Sequence, residues 1–150
     1  MLAKPHYYFV DEKMLRTPIV AVRQVKMEIE HMAQIAMQNY DFSLQMVTTL
    51  DFSERETFQQ NEKELNFLNH ELVKYIVRLN ELMLPEADHQ YLTTAIRTVS
   101  DVERIGDYAE NITEYADILA KAGERFSDDA LAEIEQMREL VFSVYQYAMK

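Results

Sequence analysis

Apolar residues recur at three- and four-residue steps through most of the chain, the pattern of helices that each bury one stripe. The first run follows Thr17 and Pro18, because threonine can cap free backbone amides and proline is tolerated at the first helical position. We therefore expect a long helix from this point. Its predicted buried residues are Val22, Val25, Ile29, Met32, Ala36, Met46 and Leu50.

The pattern breaks at the segment LDFSERE, residues 50–56, where Ser53 offers the next helix cap. A second helix follows and stops before Pro85, since proline cannot continue a helix but can begin one. Its apolar residues have a coiled-coil-like spacing. The predicted buried set is Phe58, Leu65, Leu68, Leu72, Tyr75, Leu79 and Leu82.

Two further helices complete the pattern. The third is predicted from about Glu86 to Ala122, with Gly123 as a left-handed terminator. Ser127, followed by two acids, opens a fourth helix that is predicted to continue to Lys150. The residues expected to face inward from this fourth helix are Leu131, Ile134, Met137, Val141, Val144 and Ala148.

The pattern predicts an all-α fold, an antiparallel three-helix bundle over residues 17–123 plus a fourth C-terminal helix. Long helices joined by short links pack as antiparallel neighbours, and about 1.5 Å per residue makes the bundle roughly 45 to 50 Å long. The fourth helix either folds onto the bundle or is the first helix of a unit that the chain does not contain. Residues 1–16, aromatic and irregular, are interpreted as a linker or arm.

Composition supports this fold and limits the function. Two glycines and three prolines leave little material for turns, which favours a few long helices. A formal net charge of -11 argues against a nucleic-acid ligand and suits a cation or a basic partner. The chain has no cysteine, so disulfides and thiolate zinc sites are excluded, and no apolar run approaches the roughly 18 residues of a membrane span.

The segment SDVERIGDYAENI, residues 100–112, places acids where the third helix should be buried. Leu92, Ile96 and Val99 share an azimuth that we expect to face the core. Further along the same azimuth come Glu103, Asp107, Glu110 and Glu114. Gly106 lies between the first two acids and would let a neighbouring backbone come close to them.

Among these acids only Asp107 has a base within one helical turn, Arg104, whereas Asp101 has both Arg97 and Arg104. Like charges at this spacing cost about 0.2 to 0.5 kcal/mol per pair, and more when half-buried. Antiparallel packing should bring a polar stripe of the second helix, Glu62, Asn66 and Asn69, to the same level. Oxygen ligands on two facing helices predict a metal-ion site. The alternative is an ordinary solvated acidic face.

A different metal motif, Glu-x-x-His, occurs at Glu28 with His31 and at Glu86 with His89. Di-iron carboxylate bundles use this spacing, but the two pairs should lie about 15 Å apart along the bundle axis. No phosphate-binding glycine loop, nucleophile elbow or Cys/His pair is present. The sequence therefore makes no positive case for an enzyme.

The segment SDVERIGDYAENI resembles the signature of PhoU proteins, whose three-helix repeat carries an Asp-x-Glu-Arg-Ile/Val-Gly-Asp run on its third helix. The segment YYFVDEKMLRTPIVAVRQVKMEIEHM, residues 7–32, resembles the lead-in to the PhoU-like domain of sodium/phosphate cotransporters. The resemblance implies one complete repeat at 17–123 and the start of a second at 127–150, within a domain at 17–150. Asn66, where relatives often carry an acid, and Tyr108, where many have histidine, depart from the family pattern.

The resemblance implies a regulatory domain that associates with a membrane transporter domain or other phosphate-transport machinery, in the cytoplasm at the inner face of the membrane. It also implies metal binding at Glu103 and Asp107, with iron, zinc or magnesium as candidate ions. Two alternatives stay open: a stand-alone PhoU-type regulator of an ABC phosphate transporter and its sensor kinase, and a carboxylate-bundle metalloenzyme. An acidic edge and the fourth helix make a homo-oligomer a further expectation.

Overall fold

The computed structural model describes residues 4–148 of the chain. It contains a short 3-10 helix at Glu12–Arg16 and four α-helices, and no strand occurs among these residues. The first three α-helices pack into the predicted three-helix bundle. Within residues 4–148, none of the helices combines the length and hydropathy of a membrane span. The α-helices are α1 (Pro18–Thr49), α2 (Arg55–Asn80), α3 (Glu86–Ala122) and α4 (Asp128–Ala148).

The predicted bounds of α1 and α3 are confirmed, but one capping role is wrong. α3 begins after Pro85 and ends before Gly123, whose φ of 67° is left-handed. Thr17 precedes α1 as expected, yet its side chain makes no capping hydrogen bond. Its backbone amide instead donates to the carbonyl of Met14 at 2.8 Å. The preceding 3-10 helix therefore uses Thr17 as its last turn and holds it away from a capping geometry.

The link between α1 and α2 also differs from the prediction. α1 ends at Thr49 and is followed by Leu50, a left-handed residue with a φ of 55° whose amide donates to the carbonyl of Met46. Ser53 does not cap α2, since Glu54 occupies the capping position and no side-chain hydrogen bond is made there. The amide of Ser53 donates to the Asp51 carboxylate at 3.0 Å, so Ser53 belongs to the turn before the helix.

The predicted buried residues of α1 and α2 are confirmed except at their last positions. Leu50 and Leu82 are only half-buried because each lies where its helix gives way to a link. The core consists of two clusters along the bundle. The larger includes Val25, Met32, Leu68, Leu72 and Val99; the smaller includes Met46, Phe58, Ala109, Ala116 and Leu119.

The N-terminal arm is packed against the bundle instead of forming a loose linker. The Glu28 carboxylate accepts hydrogen bonds from the amides of Tyr8, Phe9 and Val10 at 3.0, 2.9 and 3.1 Å. Val10 joins the larger core cluster. Glu28, which the Glu-x-x-His spacing suggested as a possible metal ligand, is thus completely buried and anchors the arm.

α4 folds onto the edge of α1, and its Ser127 cap is confirmed by a hydrogen bond from Ala130 at 3.2 Å. Its predicted inward face is wrong at Met137, Val144 and Ala148, which are exposed. No described residue of α4 is fully buried. The reason is that α4 makes its main contact with α1 alone, so the contact covers a narrow side of the helix. Arg138 pairs with Asp41 there, and Phe142 lies against Tyr40.

Candidate metal-binding site

The five acids predicted as metal ligands line two adjoining cavities between α2 and α3. The first encloses about 10 Å³, close to the space that one water molecule requires. An ion of similar size would therefore fit between the two helices. The residues that line this cavity are Glu62, Leu65, Asn66, Glu103, Gly106, Asp107 and Glu110.

The second cavity encloses about 200 Å³ and shares Glu62 and Glu110 with the first. Glu114 lies only on this second cavity. We call Glu62, Glu103, Asp107, Glu110 and Glu114 the acidic groove. The structure thus brings all five predicted ligands to one surface, together with Asn66 but without Asn69, which lines neither cavity.

The acids of α3 do not continue the buried stripe, as the sequence had suggested. Glu103 is half-buried, while Asp107, Glu110 and Glu114 are exposed. A fixed azimuth does not predict burial well over fifteen residues, because the line of contact between two crossing helices shifts around each helix along its length. The groove acids therefore flank the core and open to solvent. The buried residues over this half of α3 are Val102, Gly106, Ala109, Thr113, Ala116 and Leu119.

Gly106 provides clearance for a side chain and not for a backbone. A Cβ placed on Gly106 would lie 3.0 Å from Cδ1 of Leu65, a buried residue of α2. The expectation that a neighbouring backbone approaches here is therefore wrong. The glycine allows Leu65 to pack directly on the α3 backbone, which draws α2 and its Glu62 towards the acids of α3.

The arginines near the groove do not pair with its acids. Arg104 pairs with Asp101 at 3.8 Å, as predicted, and Arg97 makes no ion pair within residues 4–148. Arg55 lines the second cavity but pairs with Asp117. In the same residue range, none of the groove acids has an ion-pair partner.

The pKa values of two groove acids record this excess of negative charge. Burial raises the pKa of Glu62 to about 7, and the nearby carboxylates of Glu110, Asp107 and Glu114 add to the rise. Burial and the charge of Asp107 raise the pKa of Glu103. Glu62 on α2 thus shares an electrostatic field with three acids of α3, a coupling that a bound cation would relieve.

The side chains of the groove have the atom types that a hard cation binds, but they are not positioned as a metal site. Carboxylate and amide oxygens are ligands of the kind that magnesium and similar ions take. Within residues 4–148, however, no three His, Asp or Glu side chains already have the arrangement of a metal site. The groove therefore offers oxygen atoms and an excess of negative charge, without a preformed metal site among the described residues.

Sequence reasoning missed two residues of the second cavity, Arg55 and Asp117. Asp117 lies three residues after Glu114 and seven after Glu110, so helical spacing would have placed it on the same face. Arg55 precedes Glu62 by the same seven residues on α2, so helical spacing would have placed it on the groove side of that helix as well. Their ion pair closes one end of the acidic groove.

The rival Glu-x-x-His motif does not form a site. The Glu28 carboxylate is occupied by the arm amides, and Nδ1 of His89 lies 2.7 Å from the amide oxygen of Asn80. Glu86, at the start of α3, is exposed. Glu28 and His89, one residue of each pair, are therefore engaged with other groups.

Comparisons with known proteins agree with the fold and with the segment that carries the acids. The PhoU domain family profile matches residues 29–116, which is more than half of the chain. The Phosphate-specific transport system accessory protein PhoU homolog of Aquifex aeolicus (strain VF5) is 27% identical over 101 residues. This alignment covers 67% of the present chain and 46% of that relative, so the chain matches less than half of the relative's length. The search of solved structures returned no match. The chain belongs to the PhoU domain family.

Proposed function

We propose that this chain is a regulatory PhoU domain that acts in phosphate uptake, as the cytoplasmic domain of a sodium/phosphate cotransporter. Family membership over residues 29–116 carries the phosphate-transport role. The arm supports the attachment to a transporter, because residues 8–10 are bonded to the buried Glu28. A membrane segment preceding the arm would therefore be linked to α1 through ordered contacts.

A stand-alone PhoU-type regulator of an ABC phosphate transporter and its sensor kinase is the second candidate. The name of the Aquifex aeolicus relative, a phosphate-specific transport accessory protein, favours it. The complete reading frame distinguishes the two proposals. Membrane-spanning segments before Met1 are expected for the cotransporter. Their absence, with a second three-helix repeat after Lys150, would contradict it in favour of the stand-alone regulator.

The metalloenzyme candidate is the weakest of the three, since the buried Glu28 serves the arm. It requires that the iron-loaded protein turn over oxygen or peroxide. Our proposal expects no turnover above that of free iron under the same conditions. Catalytic turnover that disappears in Glu103→Ala would overturn the assignment as a regulatory domain.

The proposal includes a metal ion held in the acidic groove. Glu62, Glu103 and Asp107 would hold the ion at the first cavity, with Glu110 and Glu114 towards the second. Such an ion supplies positive charge between α2 and α3. Burial, followed by repulsion from the neighbouring carboxylates, raises the pKa of Glu62, and this crowding of carboxylates supports this part of the proposal.

Metal analysis and calorimetry test the groove directly. We expect protein purified without a metal-affinity column to bind magnesium, zinc or iron, and Glu103→Ala and Asp107→Ala to weaken binding at least tenfold. Asp101→Ala is the matched control, because Asp101 lies on the same helix in an exposed ion pair. Equal, near-zero metal in all variants would refute the site.

The variant that carries both Glu103→Ala and Asp107→Ala should fold, in the absence of metal, with unchanged or slightly higher stability, since like-charge repulsion is removed.

A further inference from the structure

The apolar core is interrupted at one level of the bundle, between its two clusters. On α1 the larger cluster ends at Ala36 and the smaller begins at Met46. The other two helices have matching gaps, which run from Phe58 to Leu65 on α2 and from Val102 to Ala109 on α3.

Side-chain hydrogen bonds replace apolar packing between α1 and α2 at this level. Asn39 is completely buried, and its Nδ2 donates to the carbonyl of Phe58 at 3.0 Å. The Asn39 Oδ1 accepts a hydrogen bond from Nδ2 of Asn61 at 2.9 Å. Ser43, which is also completely buried, donates to the carbonyl of Tyr40 at 2.6 Å. We call this part of the bundle the polar layer.

The acidic groove occupies the same level between α2 and α3. Glu62 on α2 and Asp107 on α3 line one cavity together with Gly106, which has no side chain to fill the gap. Leu65 lies over Gly106, at the border of the larger cluster. The groove acids make no ion pair within the described part of the chain, so α2 and α3 repel each other where apolar contacts are fewest.

Two of the three helices are also weakened internally near this level. The Ser43 hydroxyl bonds to a carbonyl of its own helix, and Thr113 on α3 does the same with Glu110 at 2.7 Å. Such bonds compete with the backbone ladder and often bend a helix. Gly106 is among the residue types least favourable in a helix interior. The backbones of α1 and α3 can therefore bend near the polar layer.

The two clusters on either side of the polar layer differ greatly in size. Among the described residues the larger has nineteen buried members and the smaller has six. Proteins open in cooperative units whose stability depends on the apolar contacts that each unit buries. The part of the bundle around the smaller cluster should therefore open at a lower free energy than the rest.

We propose that the three-helix bundle is hinged at the polar layer. The part that contains the smaller cluster, which we call the far half, opens as a unit. The part that contains the larger cluster and the arm, which we call the arm half, stays folded meanwhile. Repulsion between Glu62 and the α3 acids favours opening, because opening separates α2 from α3 at the groove. The hinge does not depend on the phosphate-transport role or on a bound ion.

The hinge gives the acidic groove a means of regulation, and this step alone rests on the metal ion proposed above. Glu62 and Asp107 lie on different helices, so their common attraction to a cation would close the hinge. α4 runs beside both halves, since Tyr145 packs against the larger cluster and Met137 shares a cavity with Phe126 beside the smaller one. Opening of the far half would therefore remove part of the support of α4.

Hydrogen exchange of the 150-residue chain in EDTA, at a series of low urea concentrations, tests the hinge. We expect the amides of Met46 and Ala109 in the far half to exchange at least about tenfold faster than those of Met32 and Val99. Their rates should rise with urea, which separates unit opening from fraying of helix ends. Leu79, close to the end of α2 in the arm half, is the control for fraying. Equal rates and equal urea dependence in both halves would overturn the proposal.

Asn39→Leu tests the polar layer, because leucine has the same branched outline as asparagine without its polar atoms. The two clusters should then join, and the rates of the two halves should converge. Asn69→Leu is the matched control, since Asn69 is a half-buried residue of α2 that lines neither groove cavity. Circular dichroism checks that both variants keep their helix content. A difference between the halves that persists in Asn39→Leu would contradict the role of the layer.

Asp107→Asn tests the repulsion and does not alter the polar layer. Removing one of the groove charges should slow exchange in the far half by about twofold for each like-charge pair that is lost. Asp101→Asn, on the same helix, removes an exposed ion pair with Arg104 and should not slow it. Equal effects of the two variants would exclude groove repulsion as a cause of opening. All these measurements are made without metal, so a failure of the hinge is distinguishable from a failure of the proposed metal site.

Discussion

At the scale of single residues, the raised pKa of Glu62 makes the stability of the folded protein depend on pH. Its pKa of about 7 results first from burial and then from the carboxylates of Glu110, Asp107 and Glu114. The folded protein therefore holds a proton at Glu62 that an unfolded chain, with a carboxyl pKa near 4.5, releases at lower pH. Because metal ions bind the deprotonated form, metal affinity should rise as pH passes through 7.

The first prediction concerns stability and pH in metal-free protein. The folded pKa of Glu62 lies above its unfolded value, so the folded state binds more protons between pH 4.5 and 7. The contribution of Glu62 to the free energy of unfolding should fall as pH rises through this window and stay constant above it. Urea unfolding at pH 4.5, 5.5, 6.5 and 7.5 measures this, with Glu62→Gln as the reference that lacks the titrating group.

The difference between wild type and Glu62→Gln isolates this residue from the other acids. A matched variant, Glu81→Gln, changes an exposed acid outside the groove and should follow the wild-type pH dependence. A wild-type profile that runs parallel to Glu62→Gln across the whole range would contradict the assigned pKa.

The second prediction concerns the clearance at Gly106. Gly106→Ala gains roughly 1 kcal/mol of helix propensity, but its Cβ would lie 3.0 Å from the buried Leu65 side chain. Overpacking costs about 1 to 3 kcal/mol, so we expect a net loss of up to about 2 kcal/mol. In a Leu65→Ala background the obstacle is absent, and the same substitution should stabilise the protein. Thermal or urea unfolding of the wild type, the two single variants and the double variant measures the coupling free energy between positions 106 and 65.

Gly123→Ala separates steric crowding from backbone strain. Gly123 has a left-handed φ of 67° and no atom within 4 Å of an added Cβ. Its substitution should cost about 1 kcal/mol in both the wild-type and Leu65→Ala backgrounds. If Gly106→Ala also shows no coupling to Leu65, the packing account of Gly106 is wrong.

At the scale of elements, α1 binds the two segments that lie outside the three-helix bundle, the N-terminal arm and α4. One position along it, Glu28, holds the arm, and another, Asp41, holds α4. Both residues are acids that an amphipathic helix would be expected to expose. Each is instead committed to a segment distant in sequence, which is why sequence periodicity does not reveal its role.

The third prediction tests the attachment of the arm. Glu28→Gln replaces a charged acceptor of three backbone amides by a neutral amide and should cost about 1 to 3 kcal/mol. Hydrogen exchange should accelerate at Tyr8, Phe9 and Val10, while the amides of α2 keep their protection. Gln24→Ala is the control, because Gln24 accepts only the exposed amide of Asp11. Unchanged exchange at residues 8–10 in Glu28→Gln would show that other contacts hold the arm.

At the scale of the whole molecule, the protein combines a packed three-helix bundle with a weakly attached helix. α1, α2 and α3 share both core clusters, whereas no described residue of α4 is fully buried. Elements with few buried apolar contacts open at a lower free energy than the core. The bundle and α4 should therefore differ in stability even when the chain unfolds as one unit.

The fourth prediction measures that difference. Arg138→Ala removes the ion pair with Asp41, so hydrogen exchange in α4 should accelerate by up to about fivefold while exchange in α1 and α3 stays unchanged. Lys74→Ala removes an exposed pair with Glu71 and serves as the control. Uniform acceleration across all helices would mean that α4 is part of the cooperative core.

The sequence predicted the helices well because each depends mainly on its own periodicity and on local breakers such as Pro85 and Gly123. The capping roles of Thr17 and Ser53 were wrong, since a side-chain cap depends on the path of the chain before the helix. The acidic groove was predicted as a set of residues, because helical spacing and antiparallel packing bring Glu62 near the acids of α3. Whether it binds a metal stays a prediction.

By itself, the sequence determined which segments are helical, which stripes of α1 and α2 are buried and which acids lack a base nearby along the chain, because these properties follow from spacing along one helix. Only the tertiary structure decided that the α3 acids open to solvent, that Leu65 lies over Gly106 and that Glu28 anchors the arm. It also decided which side of α4 stays exposed. Each of these depends on where two distant segments meet, and that contact is set by the packing of complete helices.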